Sequence, residues 1–112
     1  MHEMVLAQDL LKKILDAAQA KGLKRLSYAR VGIGEIQLHD KTELEELFIR
    51  VSQGTIAEGI NLDIRSIPIS AVCKECGLEF ETTSNRLDCS RCNSRNIEIT
   101  HGNEIIVEQL ME

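Results

Sequence analysis

The 112-residue sequence predicts an α+β fold: two helices packed on a small mixed three-stranded sheet, with a second, smaller lobe inserted before the last strand. Three observations predict it. Two stretches repeat apolar residues at helical spacing, three others read as strands, and two C-x-x-C pairs sit together late in the chain.

In residues 6–18, Leu6, Ala7, Leu10, Leu11, Ile14, Leu15 and Ala18 recur three or four apart, while Gln8, Asp9, Lys12, Lys13 and Asp16 fill the other face. That is the pattern of an amphipathic helix. Gly22 offers a left-handed cap and Lys21 a favourable charge, so the helix should stop near Lys21. Residues 23–38 carry Leu26, Tyr28, Val31, Ile33, Ile36 and Leu38, whose parity changes around Arg30 and which Gly32 and Gly34 interrupt. A long strand that bends or bulges is expected.

Thr42 and Glu45 form a candidate capping box for a second helix with Leu44, Leu47, Phe48 and Val51 on one face, and Gly54 is its expected stop. Ile60, Leu62 and Ile64 then alternate with Asn61, Asp63 and Arg65 as in a half-buried strand, and Pro68 favours an edge or exit position. Residues 104–110, with Ile105, Ile106, Val107 and Leu110, read as a strand returning to the first sheet. The order is α, β, α, β, lobe, β. It divides the chain into residues 1–70 plus 102–112 and residues 71–101.

Hydrophobic residues make up 43% of the chain and aromatics only 3%, so the core must be built from Leu, Ile, Val and Ala. A formal charge of −5 argues against a general polyanion binder, which would neutralise phosphates with clustered Lys and Arg. Nucleic acid is a poor default partner. Glu3, Gln8, Asp9, Lys12 and Lys13 break the apolar run that a secretory signal would need, and nothing approaches the roughly 20 apolar residues of a membrane span. The expected location is the cytoplasm, with no membrane partner. Thiols stay reduced there, so four cysteines point to metal before disulfides.

Cys73-Lys74-Glu75-Cys76 and Cys89-Ser90-Arg91-Cys92 stand twelve residues apart, close to the spacing by which paired knuckles enclose one tetrahedral ion. Gly77 and Asn93 follow directly, where a left-handed backbone is wanted. Four soft thiolates in a closed tetrahedron suit structural Zn2+, which makes the lobe zinc-ribbon-like. A four-thiolate iron site, two disulfides and unconnected reduced cysteines are the rival readings. With few large side chains besides Leu78, Phe80, Leu87 and Ile97, the lobe should depend on its metal.

At the amino terminus, Met1-His2-Glu3 places several nitrogen donors on adjacent atoms. The Met1 amine and the His2 amide nitrogen close a five-membered chelate ring, and that amide with imidazole Nδ1 closes a six-membered one. Glu3 adds a carboxylate or its own backbone nitrogen. A nitrogen-rich, nearly planar set suits Ni(II) or Cu(II), and nickel is the favoured reading. Because His2 is bulky, Met1 should be retained. Binding must displace protons, so affinity should fall below neutral pH. A His after the initiator is more often a surface residue. The same holds for His39 and His101 in expected loops, with His101 the better auxiliary ligand.

Taken together, Met1-His2-Glu3 opening a helix and the late Cys73-x-x-Cys76, Cys89-x-x-Cys92 lobe resemble the HypA/HybF family of hydrogenase nickel-incorporation proteins. The stretch Val31-Gly32-Ile33-Gly34-Glu35, the Gly54-Thr55 step and Gly102-x-Glu104 match its pattern as well. The resemblance implies a nickel metallochaperone that works with the GTPase HypB to load the large subunit of [NiFe]-hydrogenase, and in some organisms supports urease maturation. It carries over His2 as the essential nickel ligand, with Glu3 and the Met1 amine nearby, and the four cysteines as zinc ligands. One departure is Cys89-Ser90-Arg91-Cys92-Asn93, where the family has Pro after the first cysteine and Gly after the second.

No nucleophile, base and oxyanion-hole constellation marks the chain as an enzyme. The main competing reading is a zinc-ribbon module for protein or nucleic acid, carried by Lys74, Arg86, Arg91 and Arg95. Glu75, Glu79, Glu81, Asp88 and Glu98 counter those charges. A redox enzyme would need one free, reactive C-x-x-C. A lobe on short connectors also permits a homodimer by exchange between chains.

Overall fold

The structure is a computed structural model that describes residues 2–112, apart from the His2 side chain. The elements run α1 (His2–Ala20), β1 (Tyr28–Gly34), α2 (Lys41–Val51), β2 (Asn61–Ile67), β3 (Ile69–Cys73), β4 (Glu79–Thr82), β5 (Ile97–His101) and β6 (Ile105–Met111). They form two three-stranded sheets of order β2-β1-β6 and β4-β3-β5. In the first, β1 is parallel to β2 and antiparallel to β6. A parallel pair needs a crossover, which α2 supplies. The second sheet is antiparallel throughout.

The expected architecture of two helices, a mixed sheet and an inserted lobe is the one observed. Leu6, Leu10, Ile14 and Ala18 of α1 and Leu44 and Phe48 of α2 are buried against Ala29, Val31 and Ile33 of β1 and Ile64 of β2. This aliphatic cluster holds the first unit together through apolar area removed from water. Principal extents of 51 × 27 × 16 Å and a radius of gyration of 16.5 Å exceed the value of about 13 Å for a compact domain of this length. The second sheet therefore extends the molecule instead of joining one round core.

Helix α1 begins at His2, four residues before the apolar repeat and where the resemblance placed its opening, with Glu3 in its first turn. Its end falls as expected: Leu23 N–H donates to the Ala18 carbonyl at 2.9 Å, and Gly22 has φ +70°. Other expectations are corrected: the cap of α2 is Asp40, not Thr42, and its side chain accepts from Glu43 N–H at 3.1 Å. The helix ends at Val51, before Gly54.

The strand expected over residues 23–38 covers only Tyr28–Gly34. Its apparent change of parity arises because Tyr28 lies on the outer face, where its hydroxyl donates to Asp63 at 3.1 Å. The bulge is real but sits on the partner: Arg30 pairs with Gln109 and Val31 with Val107, which leaves Glu108 as the extra residue of β6. Strand β2 lies at the sheet edge, as Pro68 suggested.

Beyond β1 the chain meets both connectors to the second sheet. Gly34 N–H donates to the Glu104 carbonyl at 2.8 Å, Glu35 N–H to Ile67 at 2.9 Å and Ile36 N–H to Gly102 at 3.1 Å. Gly102, at φ +106°, passes so close that a Cβ on Gly34 would stand 2.1 Å from its carbonyl oxygen. This crossing ends β1 and anchors the lobe.

Candidate metal centre

The two C-x-x-C segments fold as near copies. Cys73 N–H donates to the Leu78 carbonyl at 2.9 Å and Cys89 N–H to Ser94 at 2.8 Å. Gly77 N–H closes on Cys73 and Asn93 N–H on Cys89, both at 2.9 Å. Cys76 N–H points at Cys73 Sγ and Cys92 N–H at Cys89 Sγ, each at 3.4 Å. These turns need left-handed residues, and Gly77 (φ 79°) and Asn93 (φ 62°) supply them as expected.

Strand β3 delivers Cys73 and the turn after it Cys76, while the loop before β5 delivers Cys89 and Cys92. Cys73–Cys92 and Cys76–Cys89 sulfurs are 3.6 Å apart, and all four lie within 4.8 Å of one another. A zinc tetrahedron with bonds of about 2.3 Å has sulfur edges of about 3.8 Å. A disulfide would need about 2.05 Å, so the thiols are not bridged. The donor set and spacing fit one four-thiolate metal. Cys73 and Cys89 are buried, Cys76 is half-buried and Cys92 exposed.

The cluster divides its protons unevenly. The Leu78 N–H, and then Arg91, lower the Cys76 thiol to about 6. The Cys92 N–H holds Cys89 below its usual value. The Ser94 N–H pulls Cys92 down, but Cys73, desolvation, Cys89 and Cys76 together push it up to about 12. Four crowded sulfurs do not all ionise on their own; a bound cation would take the place of the protons.

Read from the sequence, Arg91 is one of four lobe cations; the structure turns its Nη2 onto the Cys76 carbonyl at 3.0 Å, across the two knuckles. Its place inside the second spacer is the one signal that could have suggested this. Met1 and the His2 side chain, central to the expected nickel set, lie outside the described residues; Glu3 is half-buried in the first turn of α1. His39 precedes the Asp40 cap. His101 is the exposed last residue of β5, not a loop residue.

The HypA family model, described as hydrogenase/urease nickel incorporation, metallochaperone, matches residues 1–111. The chain belongs to the HypA family. It is similar to the hydrogenase maturation factor HypA of Chlorobium limicola, 32% identical over 98% of this chain and 95% of the relative. To that of a Dehalococcoides mccartyi strain it is 33% identical, over 98% and 92%. Its fold matches the solution structure of the Ni metallochaperone HypA from Helicobacter pylori with a TM-score of 0.74 and 27% identity, covering 98% of this chain and 96% of that one. HypA proteins are metallochaperones, not enzymes, which agrees with the absence of a catalytic constellation in the sequence. No described helix is long and apolar enough to cross a membrane.

Proposed function

We propose that this chain binds Ni(II) through the Met1 amine, the His2 backbone and imidazole, and Glu3, and delivers it for maturation of [NiFe]-hydrogenase. The whole-chain match to the nickel-incorporation family carries the reading. Local physics supports it. Helix α1 starts at His2, and the first backbone N–H groups of a helix have no intrahelical partner. The amide nitrogen that would close the chelate is therefore not needed by the helix. Glu3 adds negative charge where the helix dipole would otherwise oppose a cation.

Cys73, Cys76, Cys89 and Cys92 hold structural Zn2+ in this reading, because four thiolates at tetrahedral separations leave no open position for cargo. Residues 1–70 plus 102–112 form the nickel unit and residues 71–101 the zinc unit. Delivery runs in the cytoplasm, with HypB as the GTPase partner and the hydrogenase large subunit as acceptor; urease maturation is a second destination, and pairing of two chains an available assembly. A nucleic-acid role is disfavoured by how the lobe spends its cations. Lys74 Nζ lies 4.0 Å from Glu98, Arg86 Nε 3.4 Å from Asp88 in an ion contact off the hydrogen-bonding direction, and Arg91 is held by Cys76.

Nickel titration of untagged protein and of His2→Ala, with zinc measured in both, tests the reading. His2→Ala should lose nickel and keep zinc. Unchanged nickel uptake would remove the terminal site.

A further inference from the structure

The exposed side of the four-thiolate site is where a metal must leave. Cys73 and Cys89 are buried at 1% and 0% exposure, so neither sulfur can be approached before the outer pair opens. Cys76 and Cys92 form that outer pair, and the structure treats them differently. Arg91 Nη2 donates to the Cys76 carbonyl at 3.0 Å, across the two knuckles. Cys92 is exposed where Cys76 is half-buried, and no guanidinium reaches its backbone among the described residues.

The asymmetry lies in the spacers. Arg91 occupies the third position of the second knuckle, and the equivalent position of the first is Glu75, which is exposed. One knuckle therefore reaches over and grips the other, with no return contact of that kind. Arg91 N–H itself points at Cys89 Sγ at 3.4 Å, so the residue joins the second knuckle through its backbone and the first through its side chain.

Resting on the zinc reading above, we infer that Arg91 is a strap that ties the two knuckles together at Cys76 and leaves Cys92 as the thiolate that opens first. The physical reason is charge and geometry. Four thiolates around a divalent ion carry a net charge of −2, and a guanidinium fixed at the Cys76 carbonyl offsets part of that charge on the Cys76 side. The planar guanidinium, held at the Cys76 carbonyl, also fixes the Cys76 turn against the second knuckle. Outer partners of this kind are worth about 10- to 100-fold in metal affinity. Cys92 has no such grip, so ligand exchange with a thiol, a chelator or a partner's donor group begins there.

The test uses the zinc-loaded full chain, Arg91→Gln and Arg91→Lys, each first assayed for one zinc per chain. Release to a chromogenic chelator is timed, and limiting N-ethylmaleimide with mass mapping identifies the first cysteine alkylated. The wild type should label at Cys92 first. Arg91→Gln should release zinc about 10- to 100-fold faster and label Cys76 as early as Cys92. Arg91→Lys keeps the charge without the fork and should fall between. A zinc-loaded Arg91→Gln with wild-type release and labelling order would overturn the strap while leaving the zinc reading intact. A wild type that holds no zinc would overturn both. If Arg91→Gln cannot be loaded, Arg91→Lys decides: behaviour identical to wild type in both assays sinks the strap.

Discussion

Arg65 on β2 grips Glu108 on β6 through two hydrogen bonds, 3.2 Å from Nε and 2.7 Å from Nη2, although β1 runs between those strands. Two features make the span possible. Glu108 is the bulged residue of β6, and Gly32, paired with Arg65 on β1, has no side chain to obstruct the guanidinium. Arg30 Nε adds a longer contact to Glu108 at 3.8 Å. A Cβ on Gly32 would lie 2.9 Å from Ile67 Cδ1, 3.1 Å from Ile67 Cγ1 and 3.4 Å from Arg65 Nη2, all of them side-chain atoms that can shift. Gly32→Ala should therefore cost only about 1 kcal/mol in denaturant unfolding. In Gly34→Ala the new methyl meets backbone, at 2.1 Å from the Gly102 oxygen and 2.5 Å from Asn103 N, and neither can rotate away. That variant should lose about 3 kcal/mol or more. Equal losses at the two glycines would show that the crossing is softer than its geometry implies.

The same pair gives a pH signature. The Arg65 hydrogen bonds, with the charges of Arg65 and Arg30, hold the Glu108 carboxyl below its ordinary 4.5 in spite of desolvation. A group whose pKa is lower folded than unfolded stabilises the fold fully above the unfolded value, and that contribution disappears as pH falls through the folded one. The wild type should thus lose more stability than Glu108→Gln between pH 6 and about 3. Urea denaturation of both proteins at each pH checks it, and metal loss in acid cancels in the double difference. A Glu108→Gln that loses as much as the wild type would mean that solvent already screens the pair.

Leu10 and Ile14 sit one helical turn apart on α1 and are fully buried in the first unit. Truncating either removes transfer free energy and leaves a cavity, so Leu10→Ala or Ile14→Ala should cost about 2–5 kcal/mol. The metal content of the folded fraction should stay unchanged, because the four cysteines belong to the other lobe. Metal loss in step with the core mutation would indicate one cooperative unit.

Local patterns were legible in the sequence, and contacts between distant residues were not. The repeat of Leu6, Leu10 and Ile14 and the twin cysteine turns are written within a few neighbouring positions, and they folded as read. The α2 cap was ambiguous because Asp40-x-x-Glu43 has the same spacing as Thr42-x-x-Glu45. Asp40 takes the position through an extended backbone, φ −141° and ψ 99°, which lets its carboxylate reach back to Glu43 N–H. The Glu108 bulge and the Gly34–Gly102 crossing depend on residues about 70 positions away. A lone glycine does not say what will pass over it. Arg91 was hidden for a related reason: its partner is a backbone carbonyl of the opposite knuckle, which leaves no mark in residue type.

Removing the metal should separate the two sheets energetically. The large apolar cluster lies in α1, α2, β1 and β2, whereas residues 69–101 bury little beyond Ile69, Ala71, Cys73 and Cys89. Two of those four are among the proposed metal ligands, so without an ion the lobe keeps a few strand hydrogen bonds and almost no core to shield them. Chelation should therefore abolish amide protection in β3, β4 and β5 while α1 and the centre of β1 stay protected. The junction bonds from Gly34 to Glu104 and from Glu35 to Ile67 should mark the boundary, since they close on the first sheet. Hydrogen exchange followed by mass spectrometry, before and after metal removal, resolves these segments. Persistent protection of β5 in metal-free protein would show that the ion is not the lobe's staple. Collapse of α1 along with β5 would show instead that the crossing at Gly102 couples the two units more strongly than their separate cores suggest.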